Sequence, residues 1–317
     1  MADLPSVRLE NLRPFSSIAT DFAGPFMMKS SSRRNSAHSK GYLAIFVCLE
    51  VKAVHLELAA DLSTDGFLRV LDRFVARRGL CRKIYCDRGT NFVGSSSHLE
   101  EVYKMLSSCQ DEIHQYLAGR EITWHFNPAA APHFNGIAEA GVKSAKYHLN
   151  RVLGDQILTY EELCTLITRV EAVLNSRPLG AITTDPNDGD YLTPGHFLIG
   201  APLLAVPEEN LLHLPPGRLS RFQLLQQCLQ SFWKRWTIEY LPTLIPRTKW
   251  TEAQGNLKTN DVVFMRKERA PPLQWPIGRV AEVYPGQDGA VRVARIQTST
   301  GSYIRPVHNL VPLPSPQ

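Results

Sequence analysis

Two adjoining stretches near the N-terminus, YLAIFVCLE (42–50) and KAVHLELA (52–59), are dense in apolar and β-branched residues and predict neighbouring sheet strands. An earlier extended segment, residues 16–22, is expected to end in a turn at Ala23, Gly24 and Pro25. The serine- and base-rich KSSSRRNSAHSKG (29–41) reads as a hairpin loop. After the strands the period changes from two to 3.6. DLSTDGFLRVLDRFVARRG (61–79) predicts a helix capped by Ser63 or Thr64 and stopped by Gly79, with an apolar stripe of Phe67, Leu68, Leu71, Phe74 and Val75. CRKIYC (81–86) and ITWHF (122–126) predict short strands around a helical region at 97–118. The proline-punctuated loop NPAAAPHFNG (127–136) leads into a helix at 137–154, and a further helix at 160–178 stops at Pro178. Three antiparallel strands, a helix, a strand and more helices make an α/β layer architecture.

Downstream the pattern loosens. Residues 181–217 are rich in proline and predict loops, and RLSRFQLLQQCLQSFWKRWTIEYL (218–241) predicts one long amphipathic helix. In that helix Phe232, Trp233 and Trp236 read as packing residues rather than a stacking platform for nucleotides. The segment 261–313 alternates short strands with Pro-Gly and Asp-Gly turns, the pattern of a small all-β barrel. No internal repeat is visible.

A chain of 317 residues can bury more than one core, so two domains are expected. No apolar run reaches membrane-spanning length and the N-terminus lacks a signal-peptide pattern, which predicts an intracellular protein with no membrane partner. A net charge of +5 permits an anionic partner without demanding one. The six cysteines form no CxxC pair and adjoin no histidine pair at zinc spacing, so they read as reduced core residues.

Three carboxylates stand where a metal site would want them. Asp21 lies in TDFAGPF near the end of the first strand, Asp87 opens DRGTN after CRKIYC, and Glu139 sits at the start of the 137–154 helix. Hard divalent cations such as Mg²⁺ take oxygen ligands, so this set suits one. Plainer readings stand beside it. Asp21 would begin the Ala-Gly-Pro turn, Asp87 would accept a backbone bond from Gly89 or Thr90, and Glu139 would be a favourable first-turn acid.

The flanking words decide between them. TDFAGPF, CDRGTNFVG and NPAAAPHFNGIAEAGVKSAK together resemble the integrase catalytic core of retroviruses and long-terminal-repeat retrotransposons, most nearly the BEL/Pao group. VCLEVKAVHLELAADLSTDGFL, RFVARRG, LTPGHFLIGAPL, FWKRWTIEYL and PLQWPIGRV extend the resemblance from about residue 5 to 313. It implies an RNase H-like mixed sheet with flanking helices, then a helical linker and a small all-β SH3-like barrel. The corresponding boundaries are an N-terminal extension at 1–14, the catalytic core at 15–205, a helical connector at 206–255 and an SH3-like domain at 256–315.

By this likeness Asp21, Asp87 and Glu139 are the catalytic, metal-binding acids, holding two Mg²⁺ ions or Mn²⁺ in their place. The implied activity is a metal-dependent polynucleotidyl transferase that trims DNA 3′ ends and joins them to target DNA. DNA, as element ends and as target, is the expected partner, the protein is expected to be a homo-oligomer, and its site of action is the nucleus. Lys143 and Lys146 share one helix face with Glu139 and match lysines that approach the DNA end, against the plain reading of a solvated Glu–Lys face. Asn91 either bonds the phosphate or holds its loop. Arg279 and Arg305 are the DNA contacts expected in the C-terminal segment, where Arg266, Lys267, Arg269, Arg292 and Arg295 add charge and Trp275 and Tyr303 are interleaved.

The chain departs from the family pattern at Asn135 and Ala138, just before the glutamate, and Asp87 stands further from Glu139 than is usual in retroviral integrases. Integrases commonly open with a small His/His/Cys/Cys zinc domain, and this chain carries no such set, which suggests an element fragment or a host-adopted descendant. Two other readings therefore stay open: a non-catalytic DNA-binding or assembly protein, and a plain RNase H-like nuclease, which leaves the chain after residue 190 unexplained.

Overall fold

A computed structural model describes residues 13–86 apart from 32 and 34, then 117, 119, 122–126, 147–154, 156–181, 191–203, 208–244, 256–266 and 271–313. The chain divides into two compact units. The first comprises Met1–Leu174 with Leu219–Leu229, the second Asn175–Arg218 with Gln230–Gln317.

The first unit is built on a six-stranded sheet of order β3-β2-β1-β4-β5, with β6 pairing β1 beyond that path. The strands are β1 (Ser17–Lys29), β2 (His38–Cys48), β3 (Val54–Ala59), β4 (Lys83–Cys86), β5 (Thr123–Phe126) and β6 (Leu158–Thr159). β1, β2 and β3 form an antiparallel meander, and β4 and β5 run parallel to β1. Helix α1 (Thr64–Arg78) carries the chain from β3 across to β4 on the other side of β1. This antiparallel-then-parallel order is the RNase H-like fold. From Gly41 onward every residue of β2 is buried, which explains why its sequence reads as a continuous apolar run rather than an alternation.

Helix α1 has the expected punctuation. The Ser63 side chain accepts from the Gly66 N–H, and Gly79, at φ 83°, donates its N–H to the Val75 carbonyl. Its buried stripe is Gly66, Phe67, Val70, Leu71 and Phe74, while Leu68 and Val75 are only half-buried. Phe74 stacks on Phe46 of β2 at 4.5 Å and meets Phe15 edge-on at 5.5 Å, which fixes the helix over the sheet.

Two expectations are corrected. Ala23, Gly24 and Pro25 do not turn the chain, because β1 continues through them to Lys29. The register with β2 shifts between Ala23 and Phe26, so the extra backbone is absorbed as a bulge. Gly24 has φ 127°, and a Cβ there would stand 3.0 Å from the Gly41 carbonyl oxygen, so the bulge needs glycine. The loop expected at 29–41 is also shorter, since His38, Ser39 and Lys40 already pair with β1.

Helix α2 (Tyr160–Asn175) opens on a reciprocal cap. Thr159 Oγ1 accepts from Glu162 N at 3.2 Å, and a Glu162 carboxylate oxygen accepts from Thr159 N at 2.8 Å. Helix α2 ends before Pro178, at Asn175.

In the second unit β7 (Gly180–Ala181) pairs β8 (Tyr191–Leu192), and the short helix α3 (Pro194–Ile199) follows. Helix α4 (Arg221–Thr243) begins in the first unit and continues into the second. The remaining strands are β9 (Val262–Met265), β10 (Ile277–Pro285), β11 (Val291–Thr298), β12 (Gly301–Pro306) and β13 (Leu310–Pro312). They form an antiparallel sheet of order β12-β11-β10-β9-β13, in which the last strand returns to the first, the SH3-like order. Leu257, Val263, Val280, Ala294, Ile296 and Leu310 make its core.

Trp275 is buried against Trp233 (4.6 Å), Phe264 (5.1 Å) and Trp236 (6.0 Å), and its indole N–H donates to Ser176 Oγ. Phe232, Trp233 and Trp236 are all buried, as their reading as packing residues requires.

Candidate metal and nucleic-acid site

Asp21 lies on β1, the strand at which the antiparallel and parallel halves of the sheet meet. Alternation puts Ala19 and Ala23 on its face and Ile18, Thr20 and Phe22 on the other. The second set faces α1, where the Phe22 ring lies 6.0 Å from Phe67. Two alanines beside Asp21 leave the carboxylate partly exposed between small neighbours. One carboxylate oxygen accepts from the Phe22 backbone N–H at 2.7 Å, which orients the side chain along the strand.

The register places the next element of the site. Thr20 pairs with Cys86, and Cys86 pairs in turn with Phe126. The ends of β4 and β5 are thus level with the residue before Asp21. The residue after Cys86 in the sequence is Asp87, which lies outside the described residues, as do Asn91, Glu139, Lys143 and Lys146. Among the described residues no three His, Cys, Asp or Glu side chains are grouped as a metal ion would need.

The C-terminal arginines separate by burial. Arg279 is 7% exposed and donates from Nη1 to the Asn260 carbonyl at 2.9 Å, holding the turn before β9. Arg305 is exposed on β12, the edge strand of its sheet, with its guanidinium 5.4 Å from the centre of the Tyr303 ring. Arg292 pairs with Asp288 at 2.6 Å and Arg295 with Glu282 at 3.5 Å. Of the two arginines expected to meet DNA, Arg305 is the one open to a phosphate.

A second cluster lies in the first unit, around residues that the sequence reading treated as an ordinary strand. β3 is the edge of the mixed sheet, yet all six of its residues are buried. His55 and Glu57 share one face. Glu57 accepts from Arg73 Nε and Arg77 Nη1, both at 2.7 Å, and its Oε1 lies 3.4 Å from His55 Nε2. Glu171 of α2 pairs with Arg78 and lies 3.2 Å from His55 Nδ1.

The same side chains seal the β3 edge. Leu56 N–H donates to Glu171 Oε2 at 2.8 Å, and the Leu58 carbonyl accepts from Arg73 Nη2 at 2.9 Å. No pairing edge is left at these positions for another strand to join. Burial alone would lower the His55 pKa, but hydrogen bonds to Glu171 and Glu57 outweigh it and raise it. Burial would raise the Glu57 pKa, but bonds from His55 and Arg73 hold it below the ordinary carboxylate value. The signal was present in the sequence as two polar residues at period two, His55 and Glu57, inside an apolar strand.

The comparisons with known proteins fall on both units. The family described as "Family of unknown function (DUF5641)" matches residues 220–313, a span that takes in α4 and the SH3-like sheet. No curated protein matches the chain. Among solved structures, a chain of the simian T-cell lymphotropic virus intasome in complex with PP2A regulatory subunit B56 gamma is 15% identical, with 97% of this chain and 81% of that chain covered and a TM-score of 0.35. The HTLV-2 integrase catalytic core domain in complex with magnesium, in its dimeric form, is 16% identical over 52% of this chain and 90% of that one, with a TM-score of 0.30. The trimeric form of that domain gives 17%, 53%, 90% and 0.31.

Proposed function

We propose that the chain is a DNA-integrating polynucleotidyl transferase of the retroviral integrase superfamily, of BEL/Pao type, acting on DNA in the nucleus as a homo-oligomer. The observation that carries the reading is the part-exposed Asp21 on β1 of an RNase H-like sheet, with β4 ending level with Thr20 beside it and Asp87 next in the sequence. The sequence words around Asp21, Asp87 and Glu139 support the same reading.

The donor set suits Mg²⁺ or Mn²⁺, because all three acids offer hard oxygen. Two such ions, when bound, would stabilise the attacking and leaving oxygens of an in-line displacement at phosphorus. Asp21, Asp87 and Glu139 would hold the ions. Lys143 and Lys146 hold phosphates of the DNA end, and Asn91 supports the phosphate or its loop. Arg305 adds a contact to the DNA backbone, without sequence choice.

In the joining step the DNA 3′-hydroxyl gives up its proton and forms one P–O bond at a target phosphate, as the bond from that phosphorus to the target's own 3′ oxygen breaks and that oxygen takes a proton. No covalent enzyme intermediate is needed. The departures at Asn135 and Ala138 favour a second reading, a non-catalytic DNA-binding or assembly protein of the same descent.

Strand joining on a branched DNA that mimics the integration product separates them. Wild type with Mn²⁺ or Mg²⁺ is expected to join the strands, and Asp87→Asn and Asp21→Asn to lose joining while still binding duplex. Duplex binding without joining in the wild type would leave the second reading standing. Strand cutting that uses only water would point to a nuclease.

A further inference from the structure

His55 is held in an arrangement that no step of strand transfer uses. The ring is 1% exposed, between Phe46 of β2 (6.2 Å) and Phe74 of α1 (5.4 Å), and charged groups reach it from three elements. Glu57 comes from β3 itself, Arg78 from α1 and Glu171 from α2, with Arg73 and Arg77 of α1 standing behind Glu57. Nε2 lies 3.4 Å from Glu57 Oε1 without a formed hydrogen bond. Nδ1 has two neighbours. Arg78 Nε lies 3.2 Å away and needs a lone pair on Nδ1, and Glu171 Oε2 lies 3.2 Å away and needs a proton there. One nitrogen cannot serve both at once.

We propose that His55 is a proton-operated latch between α1 and α2, in which Nδ1 accepts from Arg78 when the ring is neutral and donates to Glu171 when it is protonated. Both partners already lie 3.2 Å from Nδ1. Arg78 keeps its Nη2 bond to Glu171 in either state, so only Nε is released. Glu171 also caps the Leu56 N–H. The proton therefore adjusts the contact that seals the β3 edge, and with it the grip of α1 and α2 on the strand.

Imidazole nitrogen NMR on the full chain tests this. The neutral ring gives one lone-pair-bearing nitrogen signal, at Nδ1, and the protonated ring gives two N–H signals. The His55 signals are expected to move reversibly between these patterns from about pH 5 to 8. Glu171→Gln removes the carboxylate that favours the proton, so the midpoint should fall, by about tenfold in proton affinity. Arg78→Lys keeps the positive charge but removes Nε–H, so the midpoint should rise. Opposite shifts in the two variants are the signature of a shared nitrogen. If Glu171→Gln does not fold, a rise in Arg78→Lys alone carries the test. A wild-type ring locked in one charge state across that range would overturn the latch, as would a midpoint that Arg78→Lys leaves in place or lowers.

Discussion

His55 and Glu57 are two residues apart on β3 and titrate in opposite senses, which gives the fold a defined pH window. His55, raised above its ordinary value of 6.5, contributes stability that is complete below that value and is lost as pH rises through the folded value. Glu57, held below its ordinary value of 4.5, contributes stability that is present above that value and is lost as pH falls through the folded value. Stability should therefore be greatest between the two, in mild acid. Melting temperature followed by calorimetry from about pH 5 to 8.5 is expected to decline on the alkaline side in the wild type, with the decline largely gone in His55→Gln. A parallel decline in both proteins would assign it to other groups. Asp21 is the contrasting residue: its alanine neighbours leave the carboxylate partly open to solvent, as a ligand must be and a packing residue need not.

Elements are held together by contacts of very different worth. Glu171 of α2 is buried, caps a strand N–H and neutralises Arg78, so Glu171→Leu leaves the Leu56 N–H without this acceptor and Arg78 without this counter-charge. A loss of roughly 3–5 kcal/mol is expected in denaturant titration. Arg221 at the start of α4 also meets an α2 carboxylate, Glu162, but its side chain is 45% exposed. Solvent screens that pair, and Arg221→Ala should cost no more than about 1 kcal/mol.

In the second unit the join between helix and sheet is aromatic. Trp275→Ala removes the ring that Trp233, Trp236 and Phe264 surround and should cost roughly 3–5 kcal/mol. A fragment of residues 256–317, which lacks α4 and the Ser176 segment, would expose Trp275. It is expected to melt without a cooperative transition, whereas residues 175–317 melt cooperatively. A cooperative melt of the shorter fragment would show that the sheet core alone suffices.

At the scale of the whole molecule, the net charge of +5 overstates what is on offer to DNA in the SH3-like sheet. Among the described arginines there, Arg292 and Arg295 are ion-paired and Arg279 is buried, whereas Arg266 and Arg305 are exposed, Arg305 beside Tyr303. Duplex binding should fall steeply with salt. Arg305→Ala should weaken it evenly across sequences and reduce the slope of log affinity against log salt by about 0.9. Arg279→Ala should leave that slope alone and lower stability instead, by about 1–3 kcal/mol, since the Asn260 carbonyl loses its donor. An equal loss of slope in both variants would mean that Arg279 leaves its pocket to reach the phosphates.

Local chemistry by itself determined the elements and their order. The Ser63 and Gly79 caps, the period-two and period-3.6 stretches and the turn pairs of the last segment each depend on neighbours a few residues away, and each is legible in the sequence. The words around Asp21 and Asp87 likewise marked the candidate acids before any fold was known. Tertiary structure decided what depends on distant partners. Ala23, Gly24 and Pro25 read as a turn from local propensity, but ladder pairing with β2 carries the strand through them as a bulge. Arg279 and Arg305 are the same residue type, yet one is buried under a turn and the other stands on an edge strand, a difference set by strand order. His55 meets Arg78 and Glu171 only because α1 and α2 both pack on β3, bringing together residues 23 and 116 positions away along the chain. Charge and burial of that kind belong to the packed sheet, where separation in sequence no longer measures distance.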